Sequence, residues 1–430
     1  MRHQKQVDLT RLNGKGGKFM QLVTPQELPE SGALMKRPLE GITVIDLGQI
    51  YNGPYATFLM AMAGAKVIKV EPPSGEKMRR RGTVGGAMLP FAMLNSNKEF
   101  VTLNLKSAEG VELLLNMVKK ADIVLENFAP GTMDRLGVGY EALKKINPKL
   151  IYAAGTGYGS TGPNRDLLAM DLTIQAMSGV MASTGFPDRP PVKAGPALCD
   201  FFGGIHLYGA VMTALVRRER TGEGSLVEVS MIESVYPSLS STLGLYHGTG
   251  GQNPPRTGNR HGGMAEAPYN VYGCSDGWVA LICVSDKHWE SLLDAMGRRD
   301  MLTDPKFVDL QARVTNIDEL DQIINAWTSN MEKDELVALL SAKRIPCAPV
   351  REIDEVVNDP HMHARGTLKR IDHPELGNVV LPASPMVFPG TEEIDLIPSK
   401  SLGQDNETVF GDWLGLEPDE LKRLIADGTI

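Results

Sequence analysis

Short apolar runs alternate with segments of helical periodicity from about residue 41 onward, and this alternation constrains the fold more than any other feature. The runs GITVIDLG and AKVIKVEPP flank the helical stretch YATFLMAMAG, and the pattern continues to KLIYAAGTGYG. Strands separated by helices form βαβ units, whose strands are parallel to one another. The sequence therefore predicts an α/β fold whose large domain contains a parallel sheet, with further helices over 167–181 and 201–216.

A change in composition after about residue 235 predicts a second, smaller domain. The segment HGTGGQNPPRTGNRHGGMAEAP is rich in Gly, Pro and Asn, as linkers are. After it, YNVYGCSDGWVALICVS predicts two strands around an Asp-Gly turn. We expect five parts: an N-terminal extension at 1–36, a large domain at 37–235, a linker at 236–257, a small α+β domain at 258–350 and a C-terminal segment at 351–430.

The amino-acid composition excludes several classes of function. The 430 residues include 44 Lys and Arg against 52 Asp and Glu, a net charge of −8, which argues against a nucleic-acid partner. The four cysteines form no CxxC pair, so neither a zinc site nor a disulfide framework is expected, and a reducing cytoplasm fits. We see no signal peptide, no apolar run long enough to cross a bilayer and no metal-binding motif. We therefore expect a cytoplasmic protein without a membrane or metal partner.

Asp200 is the only charged residue between Lys193 and Arg217, and it lies in the apolar stretch AGPALCDFFGGIH. The helix predicted over 201–216 begins directly after it, with His206 expected in its buried part. One explanation is that the Asp200 carboxylate caps this helix. The other is that Asp200 is a nucleophile held against a bound substrate. The residues alone leave both explanations open.

Three further features are candidates for a ligand site. The first βα turn, DLGQIYNGP, brings backbone amides to a helix N-terminus, where anions bind, although its two glycines do not fit the GxGxxG dinucleotide spacing. The loop GNRHGG is either a mobile lid or a linker. Basic residues that follow strands or begin helices would suit phosphates at the carboxyl edge of an open sheet, although such charges usually form a solvated surface. They are Lys69, Arg79, Arg80, Arg81, Lys98, Lys106 and Arg135.

Several blocks, in order along the chain, resemble the class III CoA-transferases, the family of formyl-CoA transferase and carnitine CoA-transferase. They include RPLEGITVIDLGQIYNGPYATFLMAMAGAKVIKVEPPSGEKMR, ADIVLENFAPGTMDRLG, PVKAGPALCD and RRERTGEGSLVEVSM, and the resemblance runs from about Arg37 to the C-terminus. It implies a Rossmann-like large domain, a small domain, a C-terminal segment that returns to the large domain and a homodimer interlocked like linked rings. It also implies acyl-CoA and carboxylic acid substrates and no permanently bound cofactor.

The resemblance assigns roles to individual positions. Asp200 matches the catalytic nucleophile, and Asp171 stands where formyl-CoA transferase has Glu, as a supporting residue. The CoA-binding positions are Gln49, Ile50, Tyr51, Leu103, Lys106, Asn127, Phe128 and Arg135. The loop that shields the reacting carboxylate matches Gly258, Asn259, Arg260, His261, Gly262 and Gly263. Within it, Arg260 and His261 are candidates to bind the second carboxylate of a dicarboxylic acid.

Three alternative functions compete with CoA transfer. An α-methylacyl-CoA racemase resembles similar blocks, but Met170 occupies the position of its catalytic His, and a thioether cannot take a proton at neutral pH. A nicotinamide-dependent oxidoreductase lacks its glycine fingerprint. A non-catalytic CoA-binding protein would have no use for the carboxylate of Asp200, which makes this alternative unnecessary but does not disprove it. We therefore expect CoA transfer through an aspartyl anhydride and an aspartyl-CoA thioester at Asp200.

Overall fold

Six parallel strands form the central sheet in the computed structural model of the protein, which describes residues 35–81, 86 and 88–430. The strands are β1 (Thr43–Asp46), β2 (Lys66–Glu71), β3 (Glu99–Thr102), β4 (Ile123–Glu126), β5 (Ile151–Thr156) and β6 (Ser225–Ser230). Their order is β3-β2-β1-β4-β5-β6, and each neighbouring pair is parallel. The predicted α/β fold with a parallel sheet is confirmed. The predicted N-terminal extension, apart from its last two residues, lies outside the described residues.

Helices pack on both faces of this sheet. The helices of this part of the chain are α1 (Asn52–Met62), α2 (Lys77–Arg80), α3 (Met88–Asn95), α4 (Ala108–Val118), α5 (Thr132–Arg135), α6 (Tyr140–Ile146), α7 (Asp171–Met177), α8 (Val180–Ser183), α9 (Leu198–Thr221), α10 (Met231–Val235) and α11 (Ser240–Gly248). Neighbouring strand residues point to opposite faces, so Val44 packs with α1 and α9, whereas Ile45 packs with α4 and α6. Strands β1 to β5 are therefore buried on both faces, as is usual in parallel sheets, whereas Leu226 and Glu228 of the edge strand β6 are exposed.

A three-stranded antiparallel sheet follows in the chain. Its strands are β7 (Tyr269–Cys274), β8 (Gly277–Ile282) and β9 (Cys347–Pro349). The helices around it are α12 (Asp286–Met296), α13 (Leu310–Thr315), α14 (Ile317–Thr328) and α15 (Lys333–Ala342). Tyr272, Trp289 and Leu320 belong to a hydrophobic cluster separate from those of the large sheet. The prediction of two strands joined at the Asp-Gly turn is confirmed.

Parts of the last eighty residues pack against the large sheet and against α1. They contain α16 (Ile353–Val357), α17 (Pro360–Ala364), the hairpin β10 (Leu368–His373) and β11 (Gly377–Pro382), and α18 (Pro418–Ala426). Leu421 of α18 belongs to the cluster that includes Ile45. At the edge of the sheet, the amide of Phe100 donates to Asp405 Oδ2 at 2.7 Å and that of Thr102 to Asn406 Oδ1 at 2.9 Å. These contacts cover the free edge of β3, which would otherwise present unpaired amides.

Three helix predictions differ from the structure. The helix predicted over 167–181 begins only at Asp171 and is interrupted at Gly179, whose φ of 93° does not fit a helix. The predicted linker at 236–257 contains α11, although its glycines and serines are poor helix formers. The helix predicted over 201–216 is α9, which is longer at both ends.

Helix α9 is also less buried than predicted. Leu207 and Val211 face the sheet, whereas Ile205 and His206 are exposed, so the expectation that His206 lies in the core is wrong. Among the described residues, α9 is the one helix whose length and mean hydropathy would allow it to cross a membrane. Its apolar face packs against α1 and β5 inside the molecule.

Candidate functional site

A cavity of about 350 Å³ lies at the carboxyl edge of the large sheet. Segments that follow β1, β4, β5 and β6 line it, and Asp200 of α9 lines it as well. The segments after β1 and β4 meet where the strand order reverses, which is the place where open α/β sheets bind ligands. The site is therefore built mainly from loops at one edge of the sheet.

Asp200 is the third residue of α9 and is 7% exposed. Its carboxylate does not cap the helix. Instead, Asp171 Oδ1 accepts from the amide of Cys199 at 2.8 Å and from the amide of Asp200 at 3.3 Å. The capping explanation for Asp200 is thus wrong, because α9 begins at Leu198 and a carboxylate from the start of α7 reaches its free amides. Asp200 is left with its carboxyl at the cavity.

Burial, and to a smaller extent the negative charge of Asp171, raises the pKa of Asp200 to about 7. A helix N-terminus favours an ionised carboxylate, but here desolvation has the larger effect. At neutral pH the carboxyl is therefore divided between its protonated and ionised forms. Asp171 is itself oriented by Gln175, whose Nε2 donates to Asp171 Oδ2 at 2.6 Å while its Oε1 accepts from the amide of Ala194 at 2.9 Å.

Three glycines bring α1, β5 and α9 together around Asn52. A Cβ on Gly155 would lie 2.5 Å from Asn52 Oδ1, one on Gly203 would lie 2.1 Å from Asn52 Nδ2, and one on Gly204 would lie 2.7 Å from the Asn52 carbonyl oxygen. Asn52 is buried, lines the cavity and places Nδ2 3.5 Å from the carbonyl oxygen of Asp200. Sequence reasoning missed Asn52, although the pair of glycines after Asp200 is a signal of close helix packing.

Buried charged side chains stabilise the first βα turn. Asp46 Oδ1 accepts from the amide of Gly48 at 2.8 Å, and Asp46 Oδ2 accepts from Lys98 Nζ at 2.9 Å and from Thr57 Oγ1 at 2.7 Å. Lys69 Nζ donates to the carbonyl oxygen of Gly48 at 2.6 Å. Both lysines are fully buried, so the expectation that they bind phosphates is wrong. Their ammonium groups stabilise the turn instead.

The next two amides of this turn are also paired. The Gln49 amide donates to Asn127 Oδ1 at 2.7 Å, and the Ile50 amide donates to Glu76 Oε2 at 3.2 Å. The expectation that the turn binds an anion through its amides is therefore wrong for Gly48, Gln49 and Ile50. Ile50 has a φ of 65°, a strained conformation for a β-branched residue, and such strain concentrates at ligand sites.

The predicted CoA-binding residues fall into two groups. Gln49, Ile50, Asn127 and Phe128 line the cavity together with Asp200, and the Tyr51 ring stacks on that of Phe201 with centroids 6.0 Å apart. The other three do not line it: Leu103 is in the core, Lys106 is exposed, and Arg135 Nη2 donates to Thr132 Oγ1 at 2.9 Å. Arg79, one of the predicted phosphate ligands, pairs with Glu71 at 2.9 Å.

The predicted lid, residues 258–263, does not border the Asp200 cavity within one chain. The Arg260 guanidinium pairs with Asp318 at 2.7 Å and with Asp321 at 2.8 Å. His261 Nε2 lies 3.3 Å from Ser241 Oγ. Asn259 and Arg260 line a different cavity, next to Phe186. The loop is thus tied to α14, and its part in catalysis stays a prediction.

Sequence reasoning also missed the cations of the Asp200 cavity. Lys77 of α2 and Arg165, in the segment before α7, both line it, and no motif marks either residue. Met170 lines the cavity as well, and none of the described residues that line it is a histidine. Among the described residues, no cluster of three His, Cys, Asp or Glu side chains is placed to hold a metal ion.

A doubly wound sheet with a buried carboxyl at its switch-point cavity defines an α/β protein with a small-molecule site. The chain belongs to CoA-transferase family III, whose model matches residues 39–406. It is 38% identical to the acetyl-CoA:oxalate CoA-transferase of Acetobacter aceti, over 83% of this chain and 91% of that protein. It is 36% identical to the succinyl-CoA–D-citramalate CoA-transferase of Chloroflexus aurantiacus, over 92% of this chain and 98% of that protein.

The fold has a counterpart among solved structures. A CAIB/BAIF family protein from Brucella suis superposes with a TM-score of 0.77 at 33% identity, over 88% of this chain and 100% of that one. The family resemblance drawn from the sequence is therefore confirmed, and the protein is a class III CoA-transferase. This decides against a nicotinamide-dependent oxidoreductase and against a non-catalytic CoA-binding protein.

Proposed function

We propose that the protein moves CoA from an acyl-CoA thioester to a carboxylic acid, with Asp200 as the nucleophile. The observation that carries the proposal is the Asp200 carboxyl, which is buried at the switch-point cavity and has a pKa of about 7. Relatives are named for oxalate, citramalate, mesaconate and malate. Each of these acids has two carboxylates, so small dicarboxylic acids are the substrate class that we propose for this chain.

The reaction starts with ionised Asp200. A carboxylate oxygen attacks the acyl carbonyl carbon, the C–S bond breaks and CoA leaves as a thiolate, which gives an aspartyl–acyl anhydride. The thiolate then attacks the aspartyl carbonyl carbon, releases the donor acid as a carboxylate and forms an aspartyl-CoA thioester. The acceptor carboxylate repeats both steps in the reverse order. Each covalent intermediate keeps the activation of the thioester, so no ATP is consumed.

A raised pKa suits this nucleophile. A carboxylate that is poorly solvated is more reactive, because attack does not first have to remove bound water. Asp171 holds the first turn of α9 through the amides of Cys199 and Asp200, which keeps the attacking group in place. Its negative charge also keeps part of Asp200 protonated at neutral pH. Asp171 is therefore a positioning residue in this proposal.

Replacing Asp171 with asparagine should move the pH dependence of transfer to lower pH. In the wild type, kcat/KM should rise with pH as Asp200 ionises near pH 7, and removing the Asp171 charge lowers that pKa. We expect the midpoint to fall by a few tenths of a pH unit to about one unit. The asparagine oxygen can still accept from the Cys199 amide, but its NH2 group faces the NH2 group of Gln175, and both can only donate. This mismatch can lower the rate by itself, so the midpoint of the pH profile is the quantity to measure.

The phosphates of acyl-CoA also ionise in this pH range, but they do so equally with the wild type and with Asp171→Asn. Their effect therefore cancels in the difference between the two midpoints. A midpoint that stays in place or moves to higher pH in Asp171→Asn would contradict the proposed coupling between the two carboxyls.

The proposal also includes the oligomeric state, the role of the loop at 258–263 and the residues that contact CoA. The homodimer and the interlocked rings are proposed from the family resemblance. So are the lid role of residues 258–263 and the CoA contacts of Gln49, Ile50, Asn127 and Phe128, which line the cavity. Because the loop lies away from Asp200 within one chain, lid closure requires either a rearrangement or the loop of a second copy.

A panel of acids tests the function. Acetyl-CoA and succinyl-CoA are each incubated with mono- and dicarboxylic acids, and new CoA thioesters are identified by mass spectrometry. We expect transfer to at least one dicarboxylic acid. In deuterated water a 2-methylacyl-CoA should not exchange its α-proton faster than without enzyme, because Met170 supplies no base. Rapid exchange without transfer would favour a racemase.

A further inference from the structure

The Asp200 cavity carries more positive than negative charge. Among the described residues that line it, the charged side chains are Lys77, Arg165 and Asp200. An acid substrate enters as an anion and meets the carboxyl of Asp200, with Asp171 directly behind it. A dicarboxylic acid keeps a negative charge after its first carboxylate has reacted, and that charge is costly in a desolvated cavity unless a cation meets it. The two cations are the groups available to do so.

Arg165 lines the same cavity as Asp200. Residues 167–170 line the cavity with it, and Asp171, which follows directly, accepts from the Asp200 amide. This segment packs closely on the end of β5, because a Cβ on Gly157 would lie 2.0 Å from the Ala169 Cβ. Arg165 and Asp200 therefore line the same cavity, and residues 167–170 between Arg165 and Asp171 line it too.

Lys77 is the other cation that lines the cavity. It is the first residue of α2, directly after Glu76, whose Oε2 accepts from the amide of Ile50 in the first βα turn. The two cations thus belong to different segments that line the cavity. Lys77 follows Glu76, which binds the turn that we assign to CoA. Arg165 belongs to the segment that contains Leu167, Leu168 and Met170 and leads to Asp171.

Arg165 is available for a ligand. Among the described residues, its one ion pair is with the adjacent Asp166, at 3.3 Å, and both side chains are well exposed, so the pair is weak. By contrast, Arg260, which the sequence made a candidate for this role, is held by two carboxylates of α14. A guanidinium matches a carboxylate with two parallel hydrogen bonds, which an ammonium cannot do.

We propose that Arg165 binds the second carboxylate of a dicarboxylic acid, or of its CoA thioester, while the first carboxylate reacts at Asp200. The inference rests on the proposed function, because it places the substrate by its reaction at Asp200. Leu167, Leu168 and Met170 contact the carbon chain between the two carboxylates. Arg165 is therefore a specificity-determining residue that selects acids with a second negative charge.

The experiment compares two four-carbon acids that differ in one carboxylate, succinate and butyrate, with acetyl-CoA as the donor. In the wild type, kcat/KM for succinate should exceed that for butyrate. Arg165→Gln should lower kcat/KM for succinate about ten- to a hundredfold, the effect of losing one charged hydrogen-bonded partner, and leave butyrate within about twofold. Arg165→Lys should recover part of the loss. Arg220→Ala, an exposed arginine at the far end of α9, is the matched control and should change neither value.

The phosphates of CoA are other anions that Arg165 could bind. Acetyl-pantetheine lacks these phosphates, so with this donor an effect of Arg165 on the acid can be told from an effect on CoA. If Arg165 binds the acid, the loss for succinate persists with this donor; if the loss disappears, Arg165 binds phosphate and the inference fails. A wild type that prefers butyrate, or equal losses for both acids in Arg165→Gln, would also overturn it while leaving CoA transfer intact. Absence of transfer by the wild type to every acid tested would instead reject the proposed function.

Discussion

Replacing Asp200 with asparagine should lower the rate of CoA transfer by about 10⁴-fold or more, the loss seen when a covalent nucleophile is removed. An asparagine amide cannot form the anhydride or the aspartyl-CoA thioester, because its nitrogen and oxygen are too weakly nucleophilic. The shape of the side chain is kept, so the cavity and its affinity for acyl-CoA should remain. Transfer is measured by the appearance of the new CoA thioester, and binding by calorimetry.

A trapping experiment tests the same residue directly. Wild type incubated with acyl-CoA and then with hydroxylamine should carry a hydroxamate on Asp200 and on no other carboxyl, since hydroxylamine attacks activated acyl groups. The Asp200→Asn protein should carry none. Transfer at a near wild-type rate by this variant, or modification of another residue, would refute the assignment.

The stability of the same variant supplies an independent control on its folding. In the folded protein Asp200 keeps its proton up to about pH 7, whereas in the unfolded chain it ionises near its ordinary value of 3.8. The folded state thus binds more protons between these values, and wild-type stability falls as the pH rises through that window. Asparagine does not ionise. The Asp200→Asn variant should therefore gain on the order of 2–4 kcal/mol over the wild type between pH 4 and pH 8, measured by urea unfolding.

The second large effect is expected on stability, at Lys98. Its ammonium is fully buried and donates to Asp46, to Thr57, to Asn95 and to the carbonyl oxygen of Pro54. Burial lowers the pKa of Lys98 to about 8, while Asp46 opposes this shift, so the pair is largely ionised at neutral pH. Removing one member leaves a buried charge without its partner. Lys98→Met should therefore lower the free energy of unfolding by about 3–5 kcal/mol.

Urea unfolding at pH 7 measures this loss. Lys119→Met, at an exposed lysine whose ammonium donates to Asn116, is the matched control and should change stability by less than about 0.5 kcal/mol. Adding Asp46→Asn to Lys98→Met should restore part of the loss, because the unpaired carboxylate is then neutral. A cost of Lys98→Met below about 1 kcal/mol would contradict the view that this ion pair holds the first βα turn.

Much of the fold could be predicted because its signals are local. The alternation of apolar runs and helical segments predicts the parallel sheet, and the Asp-Gly turn predicts the hairpin of the small sheet. The helix boundaries were less predictable. The break at Gly179 and the helix α11 depend on packing against neighbouring elements, which overrides intrinsic preference.

The site was predicted in part. Gln49, Ile50, Asn127, Phe128 and Asp200 do meet at one cavity, as the family resemblance implies. Lys69 and Lys98 show why pattern alone fails for charged residues. The sequence predicts that they follow strands or begin helices, but Lys69 lies within β2 and Lys98 directly before β3, and both are buried and hydrogen-bonded inside the protein. Whether a lysine is exposed or buried depends on which side chains surround it, and those come from distant parts of the chain.

The sequence by itself determined the α/β architecture, the family and the unusual position of one carboxylate in an apolar stretch. Only the tertiary structure decided that Asp171, from another helix, caps α9, and that Asp200 is therefore left at the cavity with a raised pKa. It also decided that Arg165 faces this cavity while Arg260 does not. The physical reason is that hydrophobic periodicity acts between neighbours in sequence, whereas capping, desolvation and charge pairing act between neighbours in space.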